Sequence, residues 1–197
     1  MSAPRVAALL LAAGHARRMG GEQKLLVEWQ GKPLLAHAAD VLLASRVASL
    51  HVVVGADAAA LREALSGRDL DIVENPEHAE GMAASLRAGL AALREPVDAV
   101  LVCLGDMPRV RAEHVDALIE VFAEAGPEAI CVPLHSGRRG HPVLFGTSHQ
   151  NELRTLRGDR GARSLLDAHP ECVHEVPVAD DGVHLDIDTE EDLRTLR

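Results

Sequence analysis

Residues 6–24 have the sequence VAALLLAAGHARRMGGEQK, an apolar run that ends in small residues, arginines, glycines and a lysine. An unbroken apolar run such as Val6–Leu11 is typical of a strand buried on both faces, as in parallel sheets. Further apolar runs alternate with amphipathic helical patterns along the chain, and Val97–Leu104 is the most hydrophobic of them. This rhythm predicts an α/β fold in which helices cover both faces of a doubly wound sheet.

The predicted elements continue to the end of the sequence. Strands are expected at 6–11, 51–54, 71–73, 97–104 and 129–132, and helices at 33–45, 57–65, 81–94 and 112–124. Beyond residue 132 we expect a long loop or hairpin that leads into 143–145, helices at 147–156 and 162–168, strands at 173–176 and 183–187, and a last helix from Thr189. Because no repeat or low-complexity linker interrupts the 197 residues, residues 1–197 are predicted to form a single domain.

Charge and aromatic content exclude one large class of function. Lys and Arg number 20 against 30 Asp and Glu, which gives a net charge of −10. The aromatic residues are Trp29, Phe122 and Phe145 alone. An acidic chain with so few stacking side chains is a poor ligand for a phosphate backbone, so nucleic-acid binding is not expected.

Cysteine usage and hydropathy bear on the compartment. Cys103, Cys131 and Cys172 are odd in number, lie in apolar surroundings and form no CxxC pair, as in reduced cytoplasmic proteins. The early apolar run at 6–13 is far too short to cross a membrane. We therefore expect a cytoplasmic protein with no membrane partner.

The loop after the first strand is a candidate anion site. Small residues at 12–14 let backbone N–H groups approach a ligand closely, and Arg18 and Lys24 can neutralise phosphate charge. The spacing matches neither the dinucleotide-binding fingerprint nor the P-loop. A surface turn with solvated basic residues explains the composition equally well.

Carboxylates follow two of the predicted strands. Asp106 lies at the carboxyl end of the most hydrophobic strand, where ligands bind in open α/β sheets, and a carboxylate there suits Mg²⁺. Asp186 and Asp188 are two residues apart, so on a strand they would point to the same face. The alternative is that Asp106 caps the helix that follows it and that Asp188 or Thr189 caps the last helix.

A fourth candidate is residues 137–142, GRRGHP. Its clustered donors on a loop could bind a second anionic substrate, and glycine and proline on either side restrict the backbone of His141.

Taken together, these segments resemble the nucleotidyltransferases that mature the molybdenum cofactor, and the cytidylyltransferase branch more closely than the guanylyl one. The resemblance rests on LLLAAGHARRMGGEQKLL at 9–26, ENPEHAEGMAASLRAGL at 74–90, LGDMP at 104–108, RGHPVLF at 139–145 and LDIDTEEDL at 185–193. The last segment has DTEED where the family usually has DTPED, a change that affects helix initiation more than chemistry. The guanylyl version carries a second glycine at position 13, where this chain has Ala13.

The resemblance implies a mostly parallel mixed sheet of the Rossmann-like nucleotidyltransferase type and assigns roles to residues. The nucleotide-binding set that it implies is Leu11, Ala12, Ala13, Gly14, Arg18, Lys24, Asn75 and Ser85. Arg18, Lys24 and Asp106 are the implied catalytic residues, and Asp106, Asp186 and Asp188 the implied Mg²⁺ ligands. Gly140, His141 and Pro142 fall where the acceptor is expected.

The activity implied is Mg²⁺-dependent transfer of CMP from CTP to molybdopterin, with release of pyrophosphate. Three alternatives stay open: guanylyl transfer from GTP to molybdopterin, nucleotidyl transfer to a sugar phosphate or another phosphorylated acceptor, and a non-catalytic carrier that delivers the cofactor to a client molybdoenzyme.

Overall fold

The computed structural model describes residues 3–14, 23–158, 161–187 and residue 192. The strands of this part of the chain are β1 (Val6–Ala12), β2 (Glu28–Trp29), β3 (Lys32–Pro33), β4 (Ser49–Val54), β5 (Asp71–Glu74), β6 (Ala99–Leu104), β7 (Ile130–His135), β8 (Arg138–Arg139), β9 (Val143–Gly146) and β10 (Val173–Pro177). The α-helices are α1 (Leu34–Ala44), α2 (Ala58–Ala64), α3 (Met82–Ala92), α4 (Ala112–Ala125), α5 (Gln150–Thr155) and α6 (Arg163–Ala168).

The main sheet has the strand order β10-β7-β9-β6-β1-β4-β5, with β8 paired to β7. β1 lies between β4 and β6 and runs parallel to both. β9 is antiparallel to its neighbours β6 and β7, and β8 is antiparallel to β7. The prediction of a mostly parallel mixed sheet of the doubly wound type is therefore confirmed.

Two cores, one on each face of the sheet, explain why β1 is apolar throughout. Ala8 and Leu10 belong to the core beneath α1, α2 and α4. Leu9 belongs to the opposite core, which α3, α5 and α6 complete. Since alternate side chains of a strand point to opposite faces, a strand covered on both faces needs apolar residues at every position.

The structure corrects one predicted strand. Residues 183–187 do not pair with the sheet, and Asp181–His184 instead form a 3₁₀ turn. The segment crosses the carboxyl end of β6, where the backbone N–H of Ile187 donates to the carbonyl oxygen of Asp106 at 3.0 Å. Val183 and Ile187 are buried, and Ile187 packs against Leu34 of α1 and Trp29 of β2, so burial without strand pairing explains their apolar character. The helix predicted from Thr189 lies outside the described residues.

Short elements that the apolar pattern did not predict also occur. β2 and β3 form a two-stranded ribbon around Gln30 and Gly31, both with positive φ. Such a turn matches the right-handed twist of a hairpin, and the Gln-Gly pair was its sequence signal. The helix predicted at 147–156 begins as a 3₁₀ turn at Thr147–His149 and becomes α5 at residue 150.

In the described part of the chain, no helix is both long and apolar enough for a membrane span.

Candidate active site

The candidate active site lies at the edge of the sheet where β1, β4, β5 and β6 end. Ala13 and Gly14 follow β1, and a Cβ atom at Gly55, after β4, would lie 3.0 Å from the carbonyl oxygen of Ala13. Gly105, after β6, donates its backbone N–H to the carbonyl oxygen of Leu11 at 3.1 Å. The parallel strands thus bring the first residues of the predicted nucleotide loop and the predicted metal ligand to one edge, as expected for open α/β sheets.

Lys24 and Asp106 form an ion pair at this edge. Nζ of Lys24 donates to Oδ2 of Asp106 at 2.7 Å, and the two side chains are 11% and 23% exposed. A 3₁₀ turn at Lys24–Leu26 holds the lysine there. Limited solvent screening strengthens such a pair relative to a surface one. The structure therefore joins a residue predicted for phosphate with one predicted for a metal ion.

The carboxylate of Asp106 has one oxygen available to a hard divalent cation. Oδ1 of Asp106 is buried and accepts no hydrogen bond from the described residues, so one oxygen is left for another ligand. Asp186 is exposed and precedes Ile187, whose N–H binds the backbone of Asp106. One or two carboxylates together with substrate phosphates are the usual ligands of Mg²⁺. Asp188 and Arg18, also predicted for this site, lie outside the described residues.

Asn75 and Ser85 are joined in a buried hydrogen bond below the same edge. Nδ2 of Asn75 donates to Oγ of Ser85 at 3.2 Å, and Oδ1 of Asn75 accepts from the N–H of Glu77 at 3.0 Å. These bonds fix the loop after β5 against α3. Both side chains were predicted to bind nucleotide, and in this structure they position that loop.

Gly140, His141 and Pro142 lie on the other side of β6. The N–H of Gly140 donates to the carbonyl oxygen of Pro133, and that of His141 to the carbonyl oxygen of Val183, both at 2.9 Å. A Cβ atom at position 140 would lie only 2.4 Å from the Val183 oxygen, so the close approach requires glycine. Burial lowers the pKa of His141, and the charge of Arg163 acts in the same direction.

A cavity of about 310 Å³ adjoins this loop. Its walls come from β6, β7, β8, β9, α3 and α6 and from the loops beside them. The lining residues are Met82, Val102, Leu104, Val132, Arg139, Gly140, His141, Val143, Phe145, Gly161, Ala162, Arg163, Leu166 and Asp167. Apolar walls with a few charged groups at the edge are typical of small-molecule sites. Sequence reasoning missed Arg163 and Met82, because only the tertiary fold brings α3 and α6 to the same cavity.

Comparison with known proteins decides the family. A family model described as a MobA-like NTP transferase domain matches residues 8–173. The chain belongs to this family. The transferase is 34% identical over 169 residues to a molybdenum cofactor guanylyltransferase of Pseudomonas paraeruginosa, covering 83% of this chain and 80% of the relative. It is also 30% identical over 201 residues to nicotine blue oxidoreductase of Paenarthrobacter nicotinovorans, covering 98% and 97%.

Solved structures agree with this assignment. The transferase superposes on Rv0371c of Mycobacterium tuberculosis H37Rv with a TM-score of 0.87 at 31% identity, covering 99% of this chain and 98% of that one. Rv0371c has also been solved in complex with manganese, and that structure superposes with a TM-score of 0.81 at 29% identity, over the same shares of both chains. The expected enzyme class, nucleotidyltransferase, is therefore confirmed at the level of the family.

Proposed function

We propose that this transferase moves a nucleotidyl group from a nucleoside triphosphate to the terminal phosphate of molybdopterin, within a single domain spanning residues 1–197. The observation that carries the proposal is the Lys24–Asp106 pair at the end of β6, beside a cavity edged by Arg139 and Arg163. One side of β6 thus offers a cation and a carboxylate for a metal–nucleotide complex, and the other offers a cavity for an acceptor.

The reaction needs alignment and charge neutralisation more than covalent catalysis. An oxygen of the acceptor phosphate attacks the α-phosphorus, the bond from that phosphorus to the β-phosphate oxygen breaks, and pyrophosphate leaves. A phosphate is already ionised near neutral pH, so no general base is required. Lys24 would stabilise the negative charge that grows on pyrophosphate, and Arg18 is proposed to share this role.

Asp106 and Asp186 are the described residues that would hold a divalent ion, and Asp188 is proposed as a third ligand. Such an ion, when bound, withdraws charge from the phosphate oxygens. The manganese complex of Rv0371c supports a divalent ion, and we propose that Mg²⁺ serves here. Lys24 would then exchange Oδ2 of Asp106 for a phosphate oxygen, since both are anionic acceptors.

The acceptor would occupy the cavity beside Gly140, His141 and Pro142. Its volume of about 310 Å³ is at the lower end of small-molecule sites, which begin at roughly 300 Å³. Apolar residues such as Val143 and Phe145 suit a ring system, and the guanidinium of Arg163 suits its phosphate. Because burial lowers the pKa of His141, the uncharged form of its ring is favoured in the cavity.

One observation supports GTP as the nucleotide, and another supports CTP. The relative named molybdenum cofactor guanylyltransferase, 34% identical, supports GTP. Ala13 supports CTP, because its buried methyl group takes space at the end of β1 and a pyrimidine is smaller than a purine. The relative named an oxidoreductase shows that identity near 30% does not by itself define the reaction.

Calorimetric titration with GTP, CTP, ATP and UTP, each with and without Mg²⁺, tests the nucleotide half of the proposal. Tighter binding of GTP or CTP that requires Mg²⁺ supports it and decides between the two bases. Pyrophosphate release on addition of molybdopterin, but not of a sugar phosphate, supports the acceptor. If no nucleotide binds and the chain co-purifies with a molybdoenzyme, the carrier function replaces the transferase.

A further inference from the structure

A second group of metal-ligating side chains lies at the opposite edge of the sheet from Asp106. His149 ends the 3₁₀ turn after β9, Glu152 lies in α5, and His169 follows α6. One ligand atom from each of these side chains lies within 4.8 Å of the others. Because β9 runs antiparallel to β6, the residues after β9 lie where the parallel strands begin. The group is therefore separate from the candidate active site.

His149 is held as a metal-binding histidine is held. It is only 4% exposed, and its Nε2 lies 2.8 Å from the carbonyl oxygen of Glu128. A carbonyl oxygen only accepts hydrogen bonds, so Nε2 carries the proton and Nδ1 carries the lone pair. Nδ1 is buried and has no hydrogen-bond partner among the described residues. An imidazole that donates to a backbone carbonyl and leaves its other nitrogen for an ion is the arrangement typical of metal sites.

His169 and Glu152 supply further ligands at suitable distances. Nε2 of His169 lies 2.9 Å from Oε2 of Glu152, and the His149 and His169 rings have centroids 5.0 Å apart. With Zn–N bonds of about 2 Å, two imidazoles on a tetrahedral zinc ion have centroids about 5 Å apart. Oε1 of Glu171 lies 3.7 Å from Nδ1 of His169, too far for a hydrogen bond but near enough for its charge to favour a proton on that nitrogen.

An ion pair between His169 and Glu152 alone would leave His149 unexplained. That pair occupies neither nitrogen of His149, and a buried nitrogen acceptor without a donor destabilises the fold. An ion shared by all three side chains, with Nδ1 as the ligand atom of His149, would satisfy that nitrogen. Imidazole-rich sites favour zinc, whereas Mg²⁺ prefers oxygen ligands, so the ion differs in kind from the one expected at Asp106.

We propose that His149, Glu152 and His169 bind one zinc ion, with water as the fourth ligand. The ion would join the segment after β9 to the segment after α6, and so stabilise the edge of the sheet away from catalysis. The proposal is independent of the proposed transferase reaction.

Calorimetric titration with zinc chloride alone tests this site. The Asp106→Asn variant serves as the background, because it removes the candidate ligand at the other edge. Glu152→Gln and His169→Asn remove partly exposed ligands, and His174→Gln is the matched control, since His174 is an exposed histidine on β10. Circular dichroism and thermal unfolding with EDTA check that each variant folds.

We expect one zinc ion per chain, a rise in Tm with zinc, and binding at least tenfold weaker in Glu152→Gln and His169→Asn. The control should bind as the background does, and Mg²⁺ at the same concentration should not raise Tm through this site. The proposal is overturned if the background binds no zinc, if the two ligand variants bind it equally well, or if the control loses binding to the same extent.

Discussion

Nζ of Lys24 lies 2.7 Å from Oδ2 of Asp106, although 82 residues separate them in the sequence. The pair exists because β1 and β6 are neighbouring parallel strands, so the segments that follow them meet at one edge. Each residue faces a partner of opposite charge that resembles its proposed ligand: a carboxylate in place of phosphate, and an ammonium in place of a metal ion. The pair thus keeps both side chains positioned for the exchange that nucleotide binding would require.

The Asp106→Asn variant should fold normally but lose activity. Asparagine keeps an oxygen that can accept from Lys24, while the charge needed to hold a divalent ion is gone. We expect turnover to fall by about 10²–10³-fold, the usual effect of removing one group that stabilises transition-state charge. Pyrophosphate release measures turnover, and thermal unfolding checks the fold. Near-normal turnover in the folded variant would contradict the site.

The Lys24→Met variant should lose stability as well as activity. It leaves the Asp106 carboxylate, 23% exposed, without its cationic partner. A loss of about 1–3 kcal/mol in the free energy of unfolding is expected for such an unsatisfied group. Urea unfolding of the unmodified chain, of Lys24→Met, of Asp106→Asn and of the double variant forms a double-mutant cycle. The double variant should recover part of the loss, and strictly additive effects would show that the two side chains do not interact.

The Gly140→Ala variant should disturb the acceptor loop. Its Cβ atom would lie 2.4 Å from the backbone oxygen of Val183, so the segments around positions 140 and 183 must separate. Overpacking of this kind costs about 1–3 kcal/mol of unfolding free energy.

Gly67→Ala is the control for Gly140→Ala. Gly67 has a φ of +78° and open space around it, so this variant adds backbone strain without a clash. Urea unfolding compares the two variants. A smaller loss in Gly140→Ala than in Gly67→Ala would mean that the contact with Val183 is not rigid.

Arg163 should affect the acceptor but not the nucleotide. Its exposed side chain lines the cavity, so Arg163→Ala leaves the core intact. A charge-assisted contact contributes about 1.5–3 kcal/mol, and we expect the acceptor KM to rise about tenfold or more while the nucleotide Kd stays unchanged. Arg154→Ala, an exposed arginine on α5, is the matched control. Equal effects from the two variants would remove Arg163 from the acceptor site.

Stability should decrease as the pH falls below neutrality, and His51 should contribute to this. Burial lowers the pKa of His51 from its ordinary value of 6.5. Above pH 6.5 the ring is neutral in both the folded and the unfolded chain, and its contribution to the free energy of unfolding is fully present. As the pH falls through 6.5, the unfolded chain takes up a proton before the folded chain does. The free energy of unfolding therefore decreases until the pH is below the lowered pKa of the folded state.

Urea unfolding at pH 7.5 and pH 5.5 measures the effect of His51. The His51→Gln variant should lose less stability between the two values than the unmodified chain does. His174→Gln, which removes an exposed histidine, should follow the unmodified chain. A His51→Gln variant with an unchanged or steeper decrease would contradict the prediction.

Local patterns were sufficient for the doubly wound sheet. Every position of β1 is apolar, and a strand of that kind needs a core on each of its faces. The same reasoning predicted Asp106 at a strand end, because ligands of open α/β sheets bind where parallel strands finish. It failed for residues 183–187, since burial without strand pairing, as of Ile187 against Leu34 and Trp29, produces the same apolar pattern as a strand.

Only the tertiary structure decided which distant residues meet. Strand order brings Lys24 into contact with Asp106. The position of α6 brings Arg163 to the cavity beside His141. The antiparallel direction of β9 places His149 at the opposite edge, near His169. Hydrophobic periodicity is a property of neighbours in sequence, so it predicts which faces are buried. Contacts between segments depend on how the strands are ordered and directed, which no local pattern of residues specifies.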